Sequence, residues 1–299
     1  LRLKLTPRPG TALYIAEVEV RGNREGLELD VATMQARGVP THTFVDLWAA
    51  DVDGDGADEV IAGSTNGRVY LFESDGTVAW SRELSGRANA VCAADLNGDG
   101  TLTIIAGSNE GTVHAFDATG ESMWTYEIAQ YHGPGRVRDV FPADLTGDGS
   151  QAVIVSADSW RYYAIDAAGE LIWQYESVRH GRVGTAVDLD GDGKQEVVCG
   201  TEYYWWPVVK PDGSKHWSYS TRTGPGVNDV TAADITGDGS PEVLYGGEDG
   251  NIHTLSAEGK LLWQFATGDE ITSVTTVGPD DEVKTLIAGS RIFNLYAFD

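Results

Sequence analysis

Five aspartates in this chain are each followed, 29 residues later, by a tryptophan: Asp51 by Trp80, Asp95 by Trp124, Asp144 by Trp173, Asp188 by Trp217 and Asp234 by Trp263. The distance from each tryptophan to the next aspartate varies from 15 to 20 residues. A unit of 44–49 residues therefore has a rigid part and one variable connection. Units of this length cannot bury an apolar face alone and must stack on copies of themselves, which leaves propellers, solenoids and similar arrays.

One copy, FVDLWAADVDGDGADEVIAGSTNGRVYLFESDGTVAWSREL, can be read strand by strand. A first apolar strand runs into the loop at Asp51, and a second, DEVIAG, leads to an Asn66-Gly67 turn. A third, RVYLFE, reaches Asp75-Gly76, and a fourth, TVAWSREL, carries Trp80. Short β-rich runs punctuated by Asn-Gly and Asp-Gly make one antiparallel sheet of four strands. Radial closure protects the edges of such sheets, so the expected class is an all-β propeller.

Blades one to five span 44–86, 87–130, 136–178, 181–221 and 226–267. A sixth, 270–299, has three strands and keeps Asp280 and Asp281 in place of the acidic loop. Residues 1–43 contain LYIAEVEV and GLELDVAT, which align loosely with third and fourth strands. We therefore expect one domain over 1–299: closing strands or a partial blade in 1–43, blades in 44–299, and seven blades in all, with six as the alternative.

A formal charge of −25 argues against nucleic-acid binding, which requires a basic surface. The longest apolar runs fall short of 18 residues, so membrane insertion is not expected. The acidity suits a secreted, periplasmic or cell-surface setting. The chain starts without Met and reads as a processed or trimmed product. Cys92 and Cys199 stand in apolar runs of different blades and are expected to be buried free thiols rather than a disulfide.

In the acidic loops, oxygens at positions 1, 3, 5 and 9, a glycine at 6 and a carbonyl at 7 can wrap a hard cation, and this spacing suits Ca²⁺. Asp51, Asp53, Asp55 and Glu59 with the Ala57 carbonyl make a complete set, as do Asp188, Asp190, Asp192 and Glu196 with that of Lys194. Asp234, Asp238 and Glu242, with Ser240 at position 7, have Thr236 at position 3. Asp95, Asn97 and Asp99, with Thr101 at position 7, end in Thr103, and Asp144 and Asp148 end in Ala152. Two to five structural Ca²⁺ sites are expected, against the plainer reading of Asp-Gly turns held by side-chain to backbone hydrogen bonds.

DVDGDGADEV and DLDGDGKQEV resemble the calcium loops of FG-GAP (VCBS, integrin-α-like) repeats, and YAIDAAGELIWQY resembles the Trp-bearing strands of quinoprotein-type propellers. The resemblance covers 44–299 and implies a propeller with Ca²⁺ between the first and second strands of a blade. It leaves activity open, because propellers host enzymes, lectins and adhesion modules alike.

The first strand runs from the variable connection to the acidic loop, and the second strand returns. The turn after the second strand therefore shares a face with the variable connection. Three of these turns are ordinary, at Asn66-Gly67, Glu110-Gly111 and Asp249-Gly250. Two carry aromatics: Trp160 with Arg161, and Tyr203, Tyr204, Trp205 and Trp206. The variable connections add Tyr131, His132, Arg136 and Arg138, then Arg179, His180 and Arg182, then Arg222.

Aromatic faces stack on pyranose rings and guanidinium forks bind carboxylate or sulfate, so the leading expectation is binding of an oligo- or polysaccharide, in particular an anionic one. A second is a polysaccharide lyase acting by β-elimination, with Arg138 or Arg182 neutralising a uronate carboxylate, His132 or His180 as base, and Tyr131, Tyr203 or Tyr204 as acid. A third is a protein-interaction or adhesion module using the same face. A monomer is expected. The equivalent third-strand residues Tyr70, His114, Tyr163, His253 and Tyr296, and the five repeat tryptophans, read as packing residues.

Overall fold

The computed structural model describes residues 43–298, apart from 222, 223, 225 and 279–283. Within them the chain forms six antiparallel sheets, five of four strands and one of three, each with its strands in sequence order. Blade one is Phe44–Ala50, Glu59–Ser64, Arg68–Phe72 and Val78–Glu83. Blade six has only Ile271–Val277, Thr285–Ser290 and Leu295–Phe298. The expected blade boundaries and strand order are those observed. The seventh blade expected from 1–43, Asp280 and Asp281 lie outside the described residues.

The first strands pack on one another in sequence from blade one to blade six, which makes them the inner wall of a propeller. Among the described residues, blade six and blade one are not joined in this way. The second strands of blades one to five are buried along their whole length and supply the core between sheets. Cys92 and Cys199 are buried and unpaired within it.

The repeat tryptophan performs the same task in four blades. Trp80, Trp124, Trp173 and Trp217 each donate Nε1–H to a carbonyl in the next blade, at Ala118, Ala167, Pro211 and Ala257, over 2.8–3.0 Å. Two residues beyond each carbonyl lies a left-handed glycine whose absent Cβ leaves room for the indole. At Gly169, a Cβ would fall 2.9 Å from the Trp124 ring. The third-strand residues Tyr70, His114, Tyr163, His253 and Tyr296 occupy equivalent registers opposite the second strand.

Every inner strand carries a bulge at its start. One residue per strand drops out of the pairing ladder: Val45, Asn89, Arg138, Arg182, Asn228 and Thr272. The next residue along is aspartate in alternate blades. Asp46, Asp139 and Asp229 each reach the following blade and accept from the backbone N–H of Val91, Gly184 and Val274 at 2.8–2.9 Å. Burial pushes all three carboxyls up, Asp229 to about 6, and Asp46 and Asp229 add repulsion at Asp139.

Candidate functional site

Bulges re-aim side chains, and here they build the mouth of the propeller. The bulged Asn89 donates to the Val137 carbonyl at 2.8 Å, and Asn228 donates to Glu270 at 2.9 Å and to the Ile271 carbonyl at 2.8 Å. The bulged Arg138 and Arg182 instead turn to carboxylates. Arg138 Nε donates to Asp158 Oδ1 at 2.6 Å, and Arg182 pairs with Glu248 and donates to Asn228 at 3.2 Å.

Asp158 organises the centre of the site. It lies in the turn after the second strand of blade three and is 1 % exposed. Its carboxylate takes Arg136 at 3.0 Å, Arg138 at 2.6 Å and the His180 Nδ1 at 3.3 Å. Glu202, in the corresponding turn of blade four, lies 3.5 Å from the same His180 nitrogen. A buried carboxylate among three nitrogen donors is compensated, and it fixes their geometry in return. The connection from blade two closes over this group. A Cβ at Gly133 would fall 2.2 Å from the Asp158 carbonyl oxygen, so only glycine fits.

Aromatic rings surround the cluster. Trp160 has φ of +66°, a left-handed conformation costly for a bulky side chain. Its ring lies 4.7 Å from His132 and 6.2 Å from His180, and Tyr131 lies 4.1 Å from His132. Arg161 sits over Tyr131 at 3.6 Å, and Arg179 over Trp160 at 4.6 Å and Tyr203 at 4.8 Å. The Tyr203 and Tyr204 rings lie 4.0 Å apart, tilted by 37°. The face deduced from strand direction thus brings together Tyr131, His132, Arg136, Arg138, Trp160, Arg161, Arg179, His180 and Tyr203.

Two expectations change. Trp206 is not a surface aromatic: it is 1 % exposed, packs on Tyr219, Tyr245 and His253, and donates Nε1–H to the Tyr203 carbonyl. Strand alternation turns it inward beside the half-buried Trp205, which has Lys215 6.0 Å over its ring. The forks of Arg136, Arg138 and Arg182 are engaged by Asp158 and Glu248, so they do not stand open in the way the sequence reading implied. Among the described residues, Arg179 has cation–π partners and no carboxylate. Arg222 lies outside the described residues. Sequence reasoning also passed over Asp158 as the organiser, and Phe293, which occupies the turn of blade six equivalent to that of Trp160.

The acidic loops lie at the opposite ends of the inner strands. Asp51 Oδ1 and Oδ2 accept from Gly54 and Gly56 at 2.9 Å, and the buried Glu59 accepts from Val52 at 2.9 Å. Asp188 and Glu196 repeat the pattern with Gly191, Gly193 and Leu189. Carboxylate oxygens of Asp51, Asp53 and Glu59 lie within 4.8 Å of one another, as do those of Asp188, Asp190 and Asp192. Burial raises Glu59 and Glu196, with added repulsion from Asp53 and Glu73 at the first and from Asp188, Asp190 and Asp192 at the second. Asp51, Asp53 and Glu59, or Asp188, Asp190 and Asp192, could hold a cation. Asp55 caps the Ala57 N–H and Asp192 the Lys194 N–H.

The other loops are closed by hydrogen bonds of their own. In blade three, Asp148 accepts from the hydroxyls of Thr146 and Ser150, both at 2.6 Å, and is held down to about 2. In blade five, Thr236 donates to Glu242 at 3.2 Å, while Asp234 binds Gly237 and Gly239 and Asp238 caps Ser240. In blade two, Asp95 binds Gly98 and Gly100, and Asp99 caps Thr101, with Asn97 between them.

Blades of four antiparallel strands around an inner wall, with a polar and aromatic mouth on one face and acidic loops on the other, define a β-propeller. A family model described as the lambda-carrageenase beta-propeller domain matches residues 35–82, 71–134 and 207–299, and the chain belongs to that family. No curated protein matches the chain. Residues 135–206, which hold Asp158, Trp160, Arg179 and His180, lie outside the matched stretches. Among the described residues, no helix is long and apolar enough to cross a membrane.

Proposed function

We propose that this propeller binds an anionic polysaccharide through the mouth formed by blades three and four, and that calcium in the loops of blades one and four stabilises it. The observation that carries the reading is Arg179, whose guanidinium lies over Trp160 and Tyr203 and has no carboxylate partner among the described residues. Arg136 and Arg138 share the one carboxylate of Asp158 beside it, and Arg161 lies over Tyr131, so positive charge remains at the mouth of a protein of formal charge −25. Guanidinium forks of this kind recognise sulfate and carboxylate, and pre-organised ones lose little entropy on binding. The family name supports a polysaccharide ligand, and a carrageenan is a sulfated one.

The aromatic rings act first as platforms for guanidinium groups, so charge rather than sugar stacking supplies the main attraction. Binding should therefore weaken as salt rises. A secreted or cell-surface setting fits such a ligand, and the FG-GAP-like reading of the loops fits a calcium-containing medium. The test is affinity electrophoresis in gels containing lambda-carrageenan or a neutral galactan. Retardation by the sulfated polymer, reduced about tenfold by Arg179→Ala, is expected. Equal mobility in both gels would sink the reading.

The β-elimination reading retains one observation. Asp158 and Glu202 hold the Nδ1 of His180, which is how a base is oriented, with Tyr131 and His132 nearby. Elimination requires a carboxylate on the carbon next to the proton being removed. Carrageenans lack it, so this reading comes second. Absorbance growth on a uronate polymer, lost in His180→Ala, would bring it forward.

A further inference from the structure

The turn after the second strand places one residue in the left-handed region at the same position in five blades: Gly67, Gly111, Trp160, Gly250 and Phe293, with φ from +65° to +90°. Each lies three residues after its strand ends at Ser64, Ser108, Ala157, Gly247 or Ser290. Glycine is the residue this position favours, and the two aromatics pay a conformational cost there. Trp160 belongs to the packed site described above. Phe293 is 95 % exposed, with Ile292 at 57 % and Leu295 at 64 % beside it. Among the described residues no packing compensates its conformation, so they give no reason for phenylalanine over glycine there.

Phe293 shares the face of Trp160, and a continuous polar rail joins their blades. Arg182, two residues from His180, bonds Glu248 and Asn228. Asn228 bonds Glu270, and Glu270 pairs with Arg291 at 2.6 Å. The Ile292 N–H then donates to Asp269 at 2.7 Å, fixing the tip that presents Phe293. Arg291, paired with Glu270, lies two residues before Phe293 and keeps 72 % of its side chain exposed.

We infer that Phe293 is a second contact point for the same anionic polysaccharide, engaging a sugar ring of a chain long enough to cross from blade three to blade six. The inference rests on the polysaccharide reading above. Two weak contacts on one polymer add by effective concentration, so the second site matters only for ligands that reach both. Short oligosaccharides held at Arg179 do not sense Phe293.

The test uses Phe293→Gly, which relieves the left-handed strain and so keeps the fold, with Phe293→Asn as a second variant tolerated in that conformation. Binding of lambda-carrageenan polymer and of its tetrasaccharide is measured by calorimetry, beside Arg179→Ala. We expect polymer affinity to fall about five- to tenfold in both Phe293 variants, with tetrasaccharide affinity unchanged and the melting temperature unchanged or raised. Unchanged polymer affinity in the Phe293 variants, with loss in Arg179→Ala, overturns the second contact and leaves the first standing. Equal losses for polymer and tetrasaccharide overturn the two-point arrangement. Absence of binding by the unmodified protein removes the reading and the inference together.

Discussion

Gln151 reaches back one blade and pairs twice with Asp95: its backbone N–H donates to the Asp95 carbonyl, and its Oε1 accepts the Asp95 N–H, both at 2.8 Å. Gln195 holds Asp144 by the same two bonds. Asp95 and Asp144 open the two loops whose ninth residue is Thr103 or Ala152 instead of glutamate. Where the glutamate is present, at Glu59, Glu196 and Glu242 of blades one, four and five, the following blade offers Leu102, Pro241 or Lys284 instead. Each loop therefore has one of two fasteners. The glutamine clamp should be independent of metal. Gln151→Ala should lower stability by about 1–2 kcal/mol, equally in calcium and in chelator, as read from urea melts. A loss confined to calcium-loaded protein would refute the division.

Calcium removal addresses the other fastener. Chelation should lower the melting temperature by several degrees, and added calcium should restore it. Asp51→Ala and Asp188→Ala should each remove one site from the calorimetric stoichiometry, whereas Asp148→Ala should remove none. A stoichiometry of zero in the unmodified protein would end the calcium reading.

Asp158→Asn tests the centre of the mouth. The change leaves Arg136, Arg138 and His180 around a neutral group and should cost about 2–4 kcal/mol. It should also loosen the guanidinium array, so polysaccharide affinity should fall while the calcium stoichiometry is retained. Full affinity in a stably folded Asp158→Asn protein would contradict its positioning role.

The inner-wall carboxylates give a pH signature. The folded pKa of Asp229 is raised to about 6, and those of Asp46 and Asp139 are also raised. A raised carboxyl stabilises the fold below its unfolded value, near 4, and that stability is lost as pH climbs through the folded value. In chelator, where the loops bind no calcium, the melting temperature should be higher at pH 5 than at pH 7.5. Asp229→Asn should narrow the difference. A melting temperature rising steadily from pH 5 to 7.5, identical in the variant, would show that these groups do not govern the profile.

Much of this molecule was legible in its sequence because one unit is written five times. The Asp-to-Trp interval spans a loop, three strands and two turns of nearly constant length, so it located the blades. Chain direction alone then put Trp160 and Tyr131 on one face. Contacts between blades were not legible. Nothing local in SADSW says that Asp158 collects Arg136, Arg138 and His180, since two of these arrive from the preceding connection and one from the following. The bulges that free Arg138 and Arg182 leave no mark in composition. Trp206 was misread because strand alternation, not turn chemistry, governs it. Phe293 was readable by the rule that found Trp160, an aromatic where the repeat has glycine, although the sixth blade departs from the repeat in its acidic loop and strand count.

The tryptophan bonds all point the same way along the chain, donor in one blade and acceptor in the next. Each blade is thus latched by its successor, and support passes from the C-terminal side toward the N-terminal one. Cutting one latch should therefore loosen the blade on its N-terminal side more than the blade that holds it. Trp173→Phe, which removes only the indole N–H offered to Pro211, should lower amide hydrogen-exchange protection in blade three more than in blade four.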